Sequence, residues 1–358
     1  LPTSPKILVA PLDWGLGHAT RCIPIIRELI RQGSTPLIAS SGRALELLRA
    51  EFPKTPCLKF PAYSVQYPTN NMVFNMAVRL PAIGRVIWRE YRQVRRLIRD
   101  HQIRGIISDQ RYGCFSRKVP AVFLTHQLHL KIPVPFLSGI TNSIHQRLIR
   151  QFDACWVPDE ERPPGLAGAL SHPPLQMPTR YVGILSRLST PVSVPSKYDL
   201  LFLLSGPEPQ RSRLEQRLLA QVRRLKKRIL LVQGKTEKRE AWKNEDGVQV
   251  VSFLTSGQLN RAIAESHLIV CRPGYSSLMD LARLGKPAVL IPTPGQTEQE
   301  YLAEQLFQQE KCFYQTQARI DLEEALSRAA EFRGFSGEPA EEVLLEKAVH
   351  GFLEGLED

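Results

Sequence analysis

At 358 residues, 43% of them apolar and 23% charged, the chain is long enough for two domains and has an ordinary globular composition. No run approaches the roughly 20 uninterrupted apolar residues of a membrane span, and the composition argues equally against disorder and collagen-like repeats. The formal charge is +12, and the whole excess lies in residues 1–180, with 24 Lys or Arg against 11 Asp or Glu.

Short β-branched runs alternate with amphipathic helical stretches, which predicts βα units and parallel sheets. The first series reads Lys6–Leu12, Pro36–Ser40, Gly105–Asp109, Ala121–Thr125 and Cys155–Pro158. Eight prolines from Pro158 to Pro195 then mark an interdomain connection that cannot hold long regular elements. A second series follows: Leu200–Leu204, Ile229–Gln233, Val248–Phe253, Leu268–Cys271 and Ala288–Ile291. The expected division is an N-terminal α/β domain over 1–160, a linker over 161–197 and a second α/β domain over 198–340. A last helix in 341–358 is expected to pack back toward the first domain. The six cysteines form no CxxC pair and read as buried free thiols. Residues Leu1 to Lys6 lack a signal-peptide layout, so a cytoplasmic chain is expected.

In doubly wound sheets ligands bind beyond the carboxyl ends of the strands, so the loops there are where chemistry is sought. The first strand runs into Asp13-Trp14-Gly15-Leu16-Gly17-His18. Its glycines permit a tight turn into a helix N-terminus, but Thr20 stands where a dinucleotide fingerprint needs its third glycine. His18, Asp109 and His126 each follow a strand and are the candidates for proton chemistry. Each also has a plain alternative as a local cap or packing residue. No Asp-x-Asp pair is present to hold a metal, and no cofactor is expected.

A second motif spans two consecutive βα units. Arg272-Pro273-Gly274-Tyr275-Ser276-Ser277 opens a helix carrying Asp280, and Gln296-Thr297-Glu298-Gln299-Glu300 opens the next. The first turn suits a diphosphate, Asp280 suits ribose hydroxyls, and Gln299 suits sugar hydroxyls.

Together these motifs resemble the family 28 glycosyltransferases of GT-B fold. Within that family they are similar to the enzymes that add N-acetylglucosamine to lipid-linked muramyl peptide. The resemblance implies two Rossmann-like domains facing across a cleft, and inverting transfer from a UDP-sugar to an unidentified lipid-linked or small-molecule acceptor. It also implies roles for individual residues. Phe253 and Leu254 read the uracil edge. Gly17, Arg272, Gly274, Tyr275, Ser276 and Ser277 lie at the diphosphate, joined by Arg187 with Gly183 from the linker. Asp280 holds the ribose and Gln299 the donor sugar, with Gln296 and Glu298 counted among the donor-binding residues. The family's second glutamine is Glu300 here, and its glycine-rich loop is replaced by Ser205-Gly206-Pro207-Glu208-Pro209-Gln210. A UDP-sugar hydrolase of the same fold, whose start also carries Gly-x-Gly-His, and a non-catalytic nucleotide-sugar-binding module remain as alternative readings.

The basic excess focuses on Arg79, Arg85, Arg89, Arg92, Arg95, Arg96 and Arg99 around Trp88, with Phe74 and Met76 upstream. A basic amphipathic helix of this kind suits the anionic inner face of a cell membrane, or is simply a solvated face. No fingerprint for nucleic acid accompanies it.

Overall fold

The computed structural model describes residues 4–63, 72–131, 135–173, 175, 177–189, 194–235, 242–245, 248–335 and 342–356. Two parallel sheets follow each other along the chain. The first is built from β1 (Lys6–Pro11), α1 (Gly17–Arg31), β2 (Thr35–Ser40), α2 (Gly42–Glu51), β3 (Cys57–Lys59), α3 (Met72–His101), β4 (Ile103–Asp109), β5 (Ala121–Leu124), α4 (Pro135–Ile149), β6 (Ala154–Val157) and β7 (Thr179–Tyr181). The second is built from β8 (Tyr198–Leu203), α5 (Gln210–Leu225), β9 (Ile229–Val232), β10 (Trp242–Glu245), β11 (Val248–Val251), α6 (Ser256–Ala264), β12 (Ser266–Cys271), α7 (Tyr275–Leu284), β13 (Ala288–Leu290), α8 (Thr297–Gln308), β14 (Phe313–Tyr314), α9 (Leu322–Ala329) and α10 (Glu342–Glu354).

Strand order is β3-β2-β1-β4-β5-β6-β7 in the first sheet and β10-β11-β9-β8-β12-β13-β14 in the second. Every pairing is parallel except β10 with β11. Each sheet therefore grows outward from a central strand and then restarts on its other side. The two switch points lie between β1 and β4 and between β8 and β12. There the outgoing loops diverge and leave a crevice.

Both faces of these sheets are covered, so the strands are apolar on both sides. Along β1, Ile7 and Val9 join one buried cluster while Leu8 and Ala10 join another. The first of these clusters continues through α1 into α7 and the second sheet, making the domains share apolar packing. All six cysteines are free, and all but Cys57 are buried.

Two differences from the sequence reading bear on the site. The proline-rich stretch contributes β7 as the edge strand of the first sheet. The strand expected over Val248–Phe253 ends at Val251, so Phe253 and Leu254 lie in the loop that enters α6. A Thr255–Gln258 capping box starts that helix and ends the extended run.

After the second sheet the chain returns to the first. Phe352 of α10 meets Trp156 edge-on, with ring centroids 5.9 Å apart. Arg180 Nη1 donates to Lys347 O at 3.1 Å and Gln32 Nε2 to Glu346 O at 3.0 Å. Gly105 on β4 makes room here, because a Cβ would sit 2.6 Å from the Phe352 ring and the ring would have to shift.

A buried ionic cluster braces the first switch point. Arg111 is fully buried and donates to Pro11 O, Pro61 O and Glu90 Oε1, each at 2.8 Å. Glu90, also fully buried, accepts from the Tyr63 hydroxyl at 2.8 Å and from Gly113 N at 3.1 Å. Burial lifts the Glu90 carboxyl above its ordinary range even with Arg111 beside it. A pair so fully bonded holds the β4–β5 loop to α3 and to the end of β1.

Candidate active site

The loop after β1 turns at Gly15, whose φ of +75° is the left-handed region, and feeds α1 at Gly17. His18 and Arg21 are three residues apart, so they share one face of the first turn of α1. That face looks onto Asp109, fully buried at the end of β4. His18 Nδ1 lies 3.0 Å from Asp109 Oδ1. Arg21 Nε donates to Asp109 Oδ2 at 2.7 Å, and Arg21 Nη2 donates to Asp109 Oδ1. The Cys22 thiol adds a weak contact to Oδ2 at 3.5 Å.

Burial by itself would raise the Asp109 carboxyl, but Arg21 and His18 outweigh it and hold it well below the usual carboxylate range. Burial lowers His18, and Arg21 adds to that, against the opposing pull of Asp109. At neutral pH the imidazole is therefore neutral beside a charged carboxylate. Its side chain keeps 16% exposure, and among the described residues nothing bonds its Nε2.

His126, after β5, stands on the other side of Arg21. Arg21 Nη1 lies 3.0 Å from His126 Nδ1, and an arginine can only donate. His126 Nδ1 thus carries the lone pair and Nε2 the proton, which goes to Glu298 Oε1 at 2.9 Å. Both nitrogens of His126 are engaged, which distinguishes it from His18.

Glu298 opens α8 in the second domain, so this contact crosses the cleft. The Gln127 amide donates to its other oxygen. The His126 ring stacks on Tyr275 at 3.9 Å with the planes 2° apart, and the Tyr275 hydroxyl donates to Pro158 O at 2.7 Å. Thr297 Oγ1 donates to Lys131 O at 2.9 Å. Gly17 itself abuts the second domain, since a Cβ there would lie 2.5 Å from Ser276 Oγ. The first turn of α1, which carries His18, and the first turn of α7 are in contact.

On the C-terminal side, Gly274 caps α7 without a side-chain bond. The backbone N–H groups of Tyr275, Ser276 and Ser277 precede the first intrahelical bond, from Leu278 N to Gly274 O. With the two serine hydroxyls they make a donor-rich helix start, of the kind that favours a negative group, at the second switch point. Asp280, one turn on, accepts from the Ser186 hydroxyl, and burial pushes its carboxyl up to about 6 against the pull of Arg187. Arg187 Nη1 donates to Ser256 Oγ at 3.1 Å, while its Nε is buried with no partner among the described residues.

Several residues singled out from the sequence are bonded within the protein or placed in its loops. Arg272 is fully buried; its Nη1 donates to Ile291 O and Pro292 O at 2.9 Å each, and its Nη2 to Gln210 O and the Gln317 side chain. It supports the turn from beneath, and its Nε is buried with no partner among the described residues. Gln299 Oε1 accepts from Thr293 N and Glu300 Oε1 from Gly295 N, both at 2.9 Å, so the pair stiffens the loop before α8. Gln296 is the residue that caps α8. In the replaced glycine loop Ser205 and Gly206 are exposed, and the Glu208 carboxylate accepts from Arg211 and Ser212 at the start of α5. Phe253 and Leu254 are half-buried.

Arg21, Gln127 and the Arg111–Glu90 pair were not singled out. For Arg21 a signal existed, since His18-x-x-Arg21 places both side chains on one helix face. Among the described residues no group of three or more His, Cys, Asp or Glu is arranged to hold a metal ion.

Residues 208–350 match the glycosyltransferase family 28 C-terminal domain. A UDP-N-acetylglucosamine–N-acetylmuramyl-(pentapeptide) pyrophosphoryl-undecaprenol N-acetylglucosamine transferase of Methylobacterium radiotolerans is 39% identical over 57 residues, 16% of this chain and 15% of that relative. An uncharacterized glycosyltransferase of Methanopyrus kandleri is 22% identical over 303 residues, 79% of this chain and 84% of that one. Among solved structures, Acinetobacter baumannii MurG superposes with a TM-score of 0.61 at 14% identity, covering 98% of this chain and 99% of that one. The calicheamicin glycosyltransferase CalG4 gives 0.63 at 14% identity, covering 98% and 95%. The chain therefore has the GT-B fold, and its C-terminal portion is distantly related to the family 28 glycosyltransferases.

Proposed function

We propose that the protein is an inverting glycosyltransferase that uses a UDP-sugar, with His18 as general base. The observation that carries this reading is the contact of Gly17 with Ser276. It joins a histidine–aspartate pair at one switch point to an anion-binding helix start at the other.

In this reading the α7 turn holds the diphosphate and Asp280 the ribose. His18 donates its Nδ1 proton to Asp109, a charge-assisted bond that leaves the Nε2 lone pair facing the cleft. Nε2 takes the proton of the acceptor hydroxyl as its oxygen attacks the anomeric carbon. The bond to UDP breaks on the opposite face, so the anomeric configuration inverts. Charge on the departing diphosphate is met by the backbone N–H groups and hydroxyls of the α7 turn. Asp109 stays ionised throughout, because Arg21 and the forming imidazolium both favour its charge. Resemblance of the motifs to enzymes acting on lipid-linked muramyl peptide supports a lipid-linked acceptor.

Turnover tests this directly. Incubation with UDP-glucose and UDP-N-acetylglucosamine, with and without lipid-linked acceptors, should release UDP only when an acceptor is present. Release without one makes water the acceptor and the protein a hydrolase. No release with any combination leaves a binding module. With no Asp-x-Asp pair to bind a divalent ion at the diphosphate, initial rates should be unchanged by EDTA. Loss of rate that magnesium or manganese restores would show that an ion stabilises the leaving group.

The reading extends to a membrane surface. Among the described residues no helix is long and apolar enough to cross a membrane. Trp88 on α3 is 57% exposed, with Arg92 stacked over it at 4.6 Å, and Arg85, Arg89, Arg95, Arg96 and Arg99 are exposed around it. Phe74, Met76 and Arg79 lie outside the described side chains. Each arginine near an anionic leaflet contributes about 1 kcal/mol, so four or five suffice for reversible attachment. The protein should pellet with anionic vesicles at low salt and much less at 1 M, where the Debye length is about 3 Å. Retention of binding after Arg85, Arg89 and Arg92 are all changed to Glu would make this a solvated helix face.

A further inference from the structure

Asp109 is fully buried, and Arg21 beside it is only 2% exposed. A carboxylate taken out of water needs a positive partner. Were His18 its one partner, that positive group would be an imidazolium, because an opposite charge in hydrogen-bond contact favours the charged form of histidine. A histidine that already carries both protons cannot accept another, so such a pair would hold no base.

Arg21 meets the demand instead. Its Nε donates to Asp109 Oδ2 at 2.7 Å and its Nη2 to Asp109 Oδ1, a two-point grip on the carboxylate. His18 Nδ1 reaches the same Oδ1 at 3.0 Å and stands 2.9 Å from Arg21 Nη2. A second proton on His18 would therefore put an imidazolium directly against a guanidinium, whereas a neutral ring meets no such repulsion. The remaining arm, Nη1, lies 3.0 Å from His126 Nδ1 and finds a lone pair there, since an arginine can only donate. One guanidinium thus holds Asp109 and faces both histidines at once.

We propose that Arg21 is the positioning residue of the base: it supplies the counter-charge of buried Asp109, so that His18 is oriented on that carboxylate without taking up a second proton. This rests on the transfer reading above. The charged and titratable groups that face His18 are Arg21 on its own helix, Asp109 from β4, His126 from the end of β5 and Glu298 from α8. The Cys22 thiol faces Asp109, and burial keeps it protonated. Of these neighbours Asp109 draws a proton to His18, while Arg21 and His126 oppose it.

NMR of the full-length protein labelled with ¹⁵N-histidine follows the titration of His18 directly, with its signals assigned by their loss in His18→Asn. The wild-type midpoint should lie below 6.5. In Arg21→Gln it should rise by about one pH unit or more, a tenfold change in the protonation equilibrium, and the acid limb of kcat should rise with it. Arg21→Lys restores the charge and should keep the midpoint near that of wild type. A guanidinium that only braced the core would change stability and leave the midpoint where it was. Arg21→Gln strands a buried carboxylate and can fail to fold, so the comparison is repeated with that carboxylate removed. His18 should then titrate higher in Arg21→Gln/Asp109→Asn than in Asp109→Asn, two proteins that differ only in the guanidinium. An unmoved or lowered midpoint in whichever of these comparisons folds overturns the proposal. Calorimetry with UDP keeps the two readings apart. Absence of UDP binding in wild type overturns the transfer reading whatever His18 does, whereas UDP binding with an unmoved midpoint overturns only the role given to Arg21.

Discussion

His18→Gln should lower kcat by about 100-fold or more while leaving UDP affinity unchanged. Glutamine can still donate an amide proton to Asp109, so the packing of the first turn of α1 survives, but it cannot take a proton from an acceptor. Loss of rate with intact UDP binding would therefore be chemical and not structural. The pH profile adds a signed test. His18 must be neutral to act, and burial holds it below the ordinary value of 6.5, so the acid limb of kcat should lie below pH 6.5. Asp109→Asn removes the one neighbour whose charge and hydrogen bond raise His18. Its residual activity should have an acid limb displaced to still lower pH. Normal turnover in His18→Gln would move the base elsewhere in the cleft.

Asp280→Ala should weaken UDP binding by about 10–150-fold, the loss of a charge-assisted bond of about 1.5–3 kcal/mol to the ribose. The sign of the pH effect follows from the raised carboxyl. In the unliganded protein it titrates near about 6, up from 3.8, because burial disfavours its charge. Ribose hydroxyls donate best to the ionised form. UDP affinity should therefore fall as pH drops through about 6, and Asp280→Asn should be flat over the same range. The same shift bears on stability. Between the unfolded and folded values the native state binds the extra proton, so this group stabilises the fold as pH falls and costs stability above about 6. Unchanged affinity in Asp280→Ala by calorimetry would remove the ribose assignment.

The sequence by itself determined what short-range physics controls. Apolar runs with turn residues located β1, β2, β4 to β6, β8, β9 and β11 to β13 to within a few residues, because periodicity and turn chemistry are local. Glycine spacing after β1 and the turn at Arg272–Ser277 marked two helix starts at strand ends, for the same reason. The strands β3, β7, β10 and β14 escaped notice because they are the four sheet edges, where half-exposed or polar residues replace the buried apolar run that marks an inner strand.

Tertiary structure decided everything that depends on a partner far along the chain. Arg21 and Asp109 are separated by 88 residues, and His126 and Glu298 by 172. A buried charge is tolerated only where oppositely charged or hydrogen-bonding groups replace its water, and strand order determines which groups those are. This is why the carbonyl oxygens of Ile291, Pro292 and Gln210, which gather around the buried Arg272, could not be read from its motif. It is also why Glu298, one polar residue in a polar run, becomes the carboxylate that bridges the cleft. The central placement of β1 beside β4 brings His18 to Asp109, and contact between the domains brings Glu298 to His126. Neither distance is encoded in local preference; both follow from the way two sheets pack and face each other.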